Sequence, residues 1–268
     1  MSLQIETVIT ESFSMDYFEF GHGENTLVIL PGLSVQSVMG FADAVADAYS
    51  IFSDDYTVYV FDRRKELPVP YTVHEMAQDT AEAIRTLGLS RINLFGASQG
   101  GMISMEIAIE QPDLIQKLAL GSSSSCVEEE QYKTVEKWIR LAEAGDKTAL
   151  YLAFGEAIYP KAMFEQSQEL LIDAAKTVTD EDLQRFIVLA EGMKTFDITN
   201  ELIKITCPVL IIGSEDDQVL GSAATARIAE NLNSQKKPVL YMYNGYGHAA
   251  YDTAPDYKER LLQFFSGT

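Results

Sequence analysis

Gly96-Ala97-Ser98-Gln99-Gly100 is the segment whose residue types and spacing most clearly suggest chemistry. It lies between an apolar strand-like run at 91–95 and an apolar helix-like run at 101–109. A G-x-S-x-G pentapeptide at a strand-to-helix turn is a nucleophile elbow, in which a tight turn presents the serine hydroxyl. The turn requires small residues two positions before and after the serine, and Gly96 and Gly100 meet that need. The segment therefore predicts Ser98 as a nucleophile, the alternative being a plain loop rich in Gly and Ser.

A serine hydroxyl needs a base to take its proton and a third group to orient that base. The chain has three histidines, of which only His248 follows Ser98. His22 lies in a predicted hairpin turn, and His74 begins a predicted helix well before the elbow. Because His248 follows the last predicted strand, we expect it at the same edge of the sheet as Ser98. This position favours His248 as the base.

The acid of such a set is expected between the serine and the histidine in the chain. Three acids, Glu215, Asp216 and Asp217, follow the predicted strand at 208–212. Asp216 is favoured because it stands three residues after Gly213, taken as the end of the strand, and Asp217 is its main rival. No further ligand cluster accompanies these carboxylates, so no metal site is predicted.

Acyl transfer also needs hydrogen-bond donors for the oxyanion that develops on the substrate. One donor is expected from the backbone N–H of Gln99, the residue after the nucleophile. The other is expected from the loop that follows the first buried strand, where the Leu33 amide is the candidate. Gly32 allows the backbone of that loop to approach the substrate closely.

Strand-like and helix-like segments alternate along most of the chain, which predicts an α/β sheet covered by helices on both faces. Residues 4–10 and 15–20 are predicted to form an opening antiparallel pair. From about 126 to 198 the pattern changes to several helices without a strand. We therefore predict an α/β core over 1–125 and 199–268 with a helical insertion over 126–198. The remaining predicted strands are 26–30, 56–61, 92–95, 117–120, 208–212 and 239–243, and the core helices are 35–49, 73–87, 101–109, 223–231 and 257–265.

The charge balance excludes some classes of partner. Twenty basic residues stand against 40 acidic ones, a net charge of −20. Such a surface repels polyanions, so nucleic acid and anionic membranes are not expected as partners. No run approaches the roughly 18 apolar residues needed to span a bilayer, and no secretory signal is evident. With two cysteines and no N-glycosylation sequon, the composition predicts a reducing, cytoplasmic compartment.

Taken together, these segments resemble the α/β-hydrolase superfamily over nearly the whole chain, in particular its single-domain esterase, lactonase and aminopeptidase-like branch. The resemblance implies a mostly parallel eight-stranded sheet, an inserted helical cap over Ser98 and no requirement for a cofactor. It departs from the family pattern at Pro31-Gly32, where His-Gly is usual, and at 65–68, where Gly-x-Gly often follows Asp-x-Arg. The matching pieces are Leu30-Pro31-Gly32, Asp62-Arg63-Arg64, Tyr71-Thr72-Val73 with Ala77 and Asp79, 96–101, Pro112 with Leu118 and Leu120, 213–216, and Gly247-His248 with Pro255.

The expected function is hydrolysis of a small carboxylic ester or lactone through an acyl-enzyme, with a small molecule as the partner. The same residues would also serve an amide or N-terminal peptide, a thioester or a carbon–carbon bond, and a non-catalytic small-molecule binder is the alternative from another class. Trp138, Phe154 and Phe186 are candidates to line the substrate pocket, although each could equally belong to the core of the insertion. Homo-oligomerisation is left open.

Overall fold

The computed structural model describes residues 2–233 and 238–267. Its centre is an eight-stranded sheet with the strand order β1-β2-β4-β3-β5-β6-β7-β8. Only β1 and β2 pair antiparallel with their neighbours, and all other pairings are parallel. The predicted α/β-hydrolase sheet is therefore confirmed. The strands are β1 (Glu6–Ile9), β2 (Ser14–Gly21), β3 (Asn25–Leu30), β4 (Tyr56–Arg64), β5 (Ile92–Ala97), β6 (Ile115–Gly121), β7 (Val209–Ser214) and β8 (Val239–Tyr243).

Helices cover both faces of this sheet and bury two apolar layers. The central strands β5 and β7 are buried along their whole length, which explains why their sequences are continuous apolar runs rather than alternating ones. The helices are α1 (Ala42–Ala48), α2 (Val73–Thr86), α3 (Gln99–Glu110), α4 (Glu129–Glu143), α5 (Lys147–Ile158), α6 (Lys161–Ala175), α7 (Asp180–Glu191), α8 (Ser222–Asn231), α9 (Ala250–Thr253) and α10 (Tyr257–Ser266).

The helix after the central strand is the most buried of these elements. α3 starts directly after β5, and only its last two residues, Ile109 and Glu110, are not buried. A helix that is apolar on all sides belongs in the interior. The junction of β5 and α3 therefore lies on rigid, packed structure.

The segment 126–198 forms α4 to α7 between β6 and β7. Its two ends lie side by side, because Cys126 and Asp197 form an antiparallel bridge. The Val127 amide donates to the Phe196 carbonyl at 2.9 Å, and the Ile198 amide donates to the Ser125 carbonyl at 2.8 Å. The segment thus leaves and re-enters the sheet at one place. Its division from the core as a separate cap remains a prediction.

Two of the differences between the predicted and the observed boundaries bear on the site. The helix expected over 35–49 is a short 3₁₀ turn, Val38–Phe41, followed by α1. Its first residues stay outside because Ser34 Oγ donates to the Gln36 carbonyl and Ser37 Oγ caps the 3₁₀ turn. The strand expected to end by Gly213 continues to Ser214 as β7. Within the described ranges, no helix is both long and apolar enough to cross a bilayer.

Candidate active site

Three side chains from distant parts of the chain form one hydrogen-bonded set. Ser98 Oγ lies 3.0 Å from His248 Nε2, and His248 Nδ1 lies 2.8 Å from Asp217 Oδ2. All three residues are buried, with exposed fractions of 7% for Ser98, 2% for His248 and 8% for Asp217. The structure therefore brings the predicted nucleophile and the predicted base together. This order, hydroxyl to imidazole to carboxylate, is the arrangement that activates a serine.

The backbone at Ser98 has the conformation of a nucleophile elbow. Its φ is +51°, a left-handed value that costs a residue with a side chain about 1–3 kcal/mol. A Cβ at Gly96 would lie 2.3 Å from the Gly100 carbonyl oxygen, and a Cβ at Gly100 would lie 2.1 Å from the Leu30 carbonyl oxygen. The turn therefore has no room for a side chain at either glycine. Close packing on both sides of the turn keeps Ser98 in this strained conformation.

Asp217, and not Asp216, is the partner of the imidazole, so the prediction that favoured Asp216 is wrong. Asp216 accepts hydrogen bonds from Ser214 Oγ at 2.6 Å, from the Gly245 amide at 2.9 Å and from the Gly247 amide at 3.1 Å. The Asp216 carboxylate is therefore bound by the end of β7 and by the loop that carries His248. Asp217 stands three residues after Ser214, the last residue of β7. The same three-residue spacing counted from Gly213 leads to Asp216 instead.

The environment of Asp217 favours its ionised form. Burial acts to raise its pKa, but the imidazole of His248 and the backbone N–H groups of Val219 and Leu220 together lower the pKa below the ordinary value. Asp217 Oδ1 accepts from these amides at 2.8 Å and 3.1 Å. One oxygen therefore anchors the carboxylate, which leaves Oδ2 to hold the Nδ1 side of the ring.

The histidine loop is fixed from two directions. Asp216 binds the amides of Gly245 and Gly247, both of which have positive φ, at +87° and +63°. On the other side, the Ala249 amide donates to the carbonyl of Ile158 at the end of α5, at 3.0 Å. Residues before and after His248 are thus pinned by the β7 loop and by the helical insertion. The ring is oriented by backbone contacts as well as by Asp217.

The predicted oxyanion donors belong to two segments that meet at Ser98. Gln99 is the first residue of α3, where backbone N–H groups have no acceptor within the helix. The loop 31–34 reaches the serine at Gly32, where a Cβ would lie 3.2 Å from Ser98 Cβ and 3.8 Å from its Oγ. Leu33 follows this close approach and is itself nearly buried. The role of the two amides stays a prediction.

A buried arginine contacts both of the segments that carry the predicted donors. Arg63, 4% exposed, lies at the end of β4. Its Nη2 donates to the Pro31 carbonyl at 2.8 Å and to Gln99 Oε1 at 3.2 Å. Burial lowers the pKa of Arg63 to about 10, which still leaves the guanidinium charged at neutral pH, and the neighbouring Asp62 favours that charge. The family resemblance includes the segment Asp62-Arg63-Arg64, but no feature of the sequence predicts the contact of Arg63 with Gln99.

An ion pair joins the insertion to the same place. Arg185 of α7 pairs with Asp62, whose carboxylate also accepts from Ser37 Oγ and from the Arg63 amide. The side chains of the pair are 19% and 9% exposed, so the contact is largely desolvated. Asp62, a residue of β4, therefore contacts both the loop before α1 and helix α7. Sequence reasoning missed Arg185 entirely, because nothing local to it marks a partner 123 positions away.

An apolar cavity of about 290 Å³ adjoins the loop that carries Leu33. Of the three predicted pocket aromatics, only Phe154 lines it. Trp138 and Phe186 are buried, and each packs against Phe154, with ring centroids 4.6 Å and 6.3 Å away. They form the wall behind the cavity rather than its surface. Other residues that line the cavity include Gly32, Leu33, Val38, Phe41, Ile158 and Tyr251.

Among the residues that the structure describes, one cluster of metal-ligand types lies outside this set. His74, Glu106 and Glu110 offer atoms that all lie within 4.8 Å of one another. His74 Nδ1 is 3.5 Å from each carboxylate, and burial raises the pKa of Glu106. Contacts of this kind between an imidazole and carboxylates occur without a bound ion. That the protein needs no metal and no cofactor stays a prediction.

The family model described as "Serine aminopeptidase, S33" matches residues 24–252. A protein from Agrobacterium fabrum, provisionally named carbamate hydrolase RutD, is 28% identical over 221 residues, covering 79% of this chain and 84% of the relative. A protein of the same name from Stutzerimonas stutzeri is 25% identical over 238 residues, covering 86% and 88%.

Solved structures match the fold over nearly the whole chain. An α/β hydrolase from a Medee basin deep-sea metagenome library, MGS-M2, has a TM-score of 0.86 at 22% identity and covers 98% of both chains. The enol-lactonase of Burkholderia xenovorans LB400 has a TM-score of 0.83 at 16% identity, covering 97% of this chain and all of that one. The chain therefore belongs to the α/β-hydrolase superfamily and, within it, to the family described as serine aminopeptidase, S33.

Proposed function

We propose that this protein is a serine hydrolase that cleaves a small carboxylic ester or lactone through an acyl-enzyme intermediate. The observation that carries the proposal is the continuous contact from Ser98 Oγ through His248 to Asp217, at 3.0 Å and 2.8 Å. Acyl transfer is the chemistry that such a set performs. The strained φ of Ser98 supports it, because backbone strain of this kind is concentrated at functional sites.

The steps follow from the contacts. Ser98 Oγ attacks the carbonyl carbon while His248 Nε2 takes its proton, and the imidazolium is stabilised by Asp217. The amides of Leu33 and Gln99 bind the oxyanion. As the tetrahedral intermediate collapses, the C–O bond breaks and the leaving alkoxide takes the proton from His248. Water then gives a proton to His248 and attacks the acyl carbon, which releases the acid and returns the proton to Ser98.

The cavity beside the Leu33 loop supports a substrate class through its size and polarity, and it meets the site at Gly32, since Ser98 and His248 do not line it. A volume of about 290 Å³ lies at the lower limit of small-molecule pockets, which span roughly 300–1,000 Å³. Its wall is mainly aliphatic and aromatic and includes Phe154, Ile158 and Tyr251, with Asp252 as an acidic member. An uncharged acyl or alcohol group of a few carbons fits such a cavity. We therefore propose an uncharged or weakly polar substrate.

A carbamate is the second candidate, because relatives that align over most of this chain carry the name carbamate hydrolase. Attack by Ser98 on a carbamate carbonyl would use the same base and the same oxyanion donors. The acyl-enzyme would then be a carbamoyl-enzyme, in which nitrogen donates electrons to the carbonyl and slows attack by water. Amide or N-terminal peptide substrates, thioesters and carbon–carbon bonds would need no change in these residues either.

A substrate panel tests the proposal. Purified protein is assayed with nitrophenyl acetate and butyrate, γ- and δ-lactones, a nitrophenyl carbamate and an aminoacyl nitroanilide. We expect the highest kcat/KM on the short esters or lactones, and no turnover by Ser98→Ala or His248→Ala. A higher kcat/KM on the carbamate would select the second candidate. Absence of turnover on every substrate by folded wild-type protein would support a non-catalytic binder and contradict the proposal.

A further inference from the structure

Both ends of the Gln99 side-chain amide are bound inside the protein. Gln99 is completely buried. Its Oε1 accepts from Arg63 Nη2 at 3.2 Å, and its Nε2 donates to the Leu189 carbonyl at 2.7 Å. The residue whose backbone is a proposed oxyanion donor thus has a side chain that reaches helix α7, 90 positions along the chain. Because burying an amide without partners is costly, these bonds hold Gln99 in one position.

The bond to Leu189 satisfies a carbonyl at the end of α7. The last four carbonyls of a helix lack intrahelical partners. In α7, Val188 accepts from the Gly192 amide, Ala190 from Met193 and Glu191 from Lys194. The remaining carbonyl of this turn, that of Leu189, accepts from Gln99. The last turn of α7 and the first turn of α3 are therefore joined at the elbow.

The same arginine nitrogen that binds Gln99 also binds the opposite side of the oxyanion hole. Arg63 Nη2 donates to the Pro31 carbonyl at 2.8 Å, two residues before Leu33. The two proposed donors, the Leu33 and Gln99 amides, are thus linked through one guanidinium. The ion pair between Arg185 and Asp62 holds α7 against the residue next to Arg63. A shift of α7 would pull on Gln99 and change the distance between the donors.

We propose that the side chain of Gln99 is a positioning residue that ties the spacing of the oxyanion hole to helix α7 of the insertion. The inference rests on the proposed function. It implies that the contact with α7 stabilises the transition state, in which the oxyanion has formed. The contact should contribute little to binding of the substrate in its ground state. Oxyanion donors act only when they stand at the position the charged oxygen will occupy.

Two substitutions separate the two bonds. Gln99→Glu keeps an acceptor for Arg63 and replaces the donor to Leu189 with an oxygen, so the tie to α7 is lost; it also adds a carboxylate beside Arg63, a change that Gln99→Met does not make. Gln99→Met has a similar length and loses both bonds. Removal of a whole oxyanion donor lowers kcat about 10²–10³-fold. Because the donor is displaced rather than removed, we expect Gln99→Glu to lower kcat about 10- to 100-fold, with KM changed less than threefold, and Gln99→Met to lower kcat at least as much.

Gln131 provides a matched control. Its Nε2 also donates from the insertion to a core carbonyl, that of Leu220, at 2.5 Å. Because the Leu220 amide also donates to Asp217, Gln131→Glu should lower kcat by no more than about threefold, less than Gln99→Glu does. Binding of a trifluoromethyl ketone, which forms a tetrahedral adduct, should weaken in Gln99→Glu by the same factor as kcat/KM. Equal losses of kcat in Gln99→Glu and Gln131→Glu, or a kcat within twofold of wild type in Gln99→Glu, would overturn the proposal.

Hydrogen exchange provides a readout that does not depend on activity. Amides at 188–194, in and after the last turn of α7, should exchange at least tenfold faster in Gln99→Glu than in wild type and be unchanged in Gln131→Glu. Unchanged exchange at 188–194 in Gln99→Glu would overturn the tie to α7. If wild type turned over no substrate, the proposed function would fail, and the exchange result would still decide whether the tie exists.

Discussion

Asp217→Asn is the substitution whose effect follows most directly from the hydrogen bonds of the site. Asp217 Oδ1 accepts from the amides of Val219 and Leu220, and Oδ2 faces His248 Nδ1. An asparagine must keep its single oxygen toward the two amides, which places its NH₂ group against Nδ1. The ring must then carry its proton on Nε2, and it cannot accept the proton of Ser98.

The size of this effect can be worked out from related chemistry. Loss of the correct tautomer in a serine protease lowers kcat about 10⁴-fold while geometry is kept. At 1.36 kcal/mol for each tenfold change, this corresponds to about 5.4 kcal/mol of transition-state stabilisation. We expect Asp217→Asn to lower kcat on nitrophenyl acetate by about 10³- to 10⁴-fold. Circular dichroism should match the wild type.

Asp216→Asn is the matched control one residue away. Its oxygen can still accept from Ser214 Oγ and the Gly245 amide, but the NH₂ group would oppose the Gly247 amide. We expect a loss of about 1–3 kcal/mol in the free energy of unfolding and less than a tenfold fall in kcat. A larger fall in kcat for Asp216→Asn than for Asp217→Asn would refute the choice of acid.

Three further predictions concern stability and the cavity. Because the pKa of Asp217 is lowered in the folded protein, its carboxylate stabilises the fold at pH values above about 3.9, the ordinary aspartate pKa. This stabilisation should be lost as the pH falls below that value. Urea unfolding between pH 7 and pH 3 measures the loss. Arg185→Ala should lower the free energy of unfolding by about 3 kcal/mol, because a desolvated carboxylate loses its partner, whereas Arg140→Ala in an exposed pair should lower it by about 0.3–0.5 kcal/mol. Phe154→Ala should raise KM several-fold, and Trp138→Ala should mainly lower stability, by about 3–5 kcal/mol.

Each of these predictions has an outcome that contradicts it. An unfolding free energy that falls on acidification as steeply in Asp217→Asn as in wild type would rule out that carboxylate as the cause. Equal losses in the free energy of unfolding for Arg185→Ala and Arg140→Ala would mean that the pair of Arg185 with Asp62 is not desolvated in solution. A larger rise in KM for Trp138→Ala than for Phe154→Ala would place the indole, and not the phenyl ring, at the substrate.

The sheet was predictable from the sequence because its central strands are buried on both faces. Such strands are continuous apolar runs, as at 92–97 and 209–214, and helices of amphipathic or fully apolar type separate them. Ser98 and His248 could be located because each follows a strand and therefore lies at a defined edge of the sheet. The α/β-hydrolase fold and the contact between these residues thus follow from local patterns.

The choice of acid depended on one residue of strand length. The spacing from the strand end was counted correctly, but β7 ends at Ser214 and not at Gly213. Two adjacent acids offer no sequence difference that corrects such an error. The structure separates them through the loop that carries the histidine, because Gly245 and Gly247 present their amides to Asp216.

The contacts that tie the insertion to the site could not be predicted locally. Arg63, Gln99 and the Leu189 carbonyl come from three elements that meet only after the chain has folded. The aromatic residues show the same limit. The sequence offers Trp138 and Phe154 as equivalent candidates, and only packing decides that the second lines the cavity.

Covalent labelling with a fluorophosphonate tests the central claim most directly, because it requires an activated serine and no knowledge of the substrate. We predict that wild-type protein gains the mass of one phosphonyl group, that peptide mapping places it on Ser98, and that Ser98→Ala gains none. His248→Ala should be labelled at least 10³-fold more slowly. Labelling that persists in Ser98→Ala, or folded wild-type protein that is never labelled, would contradict the account.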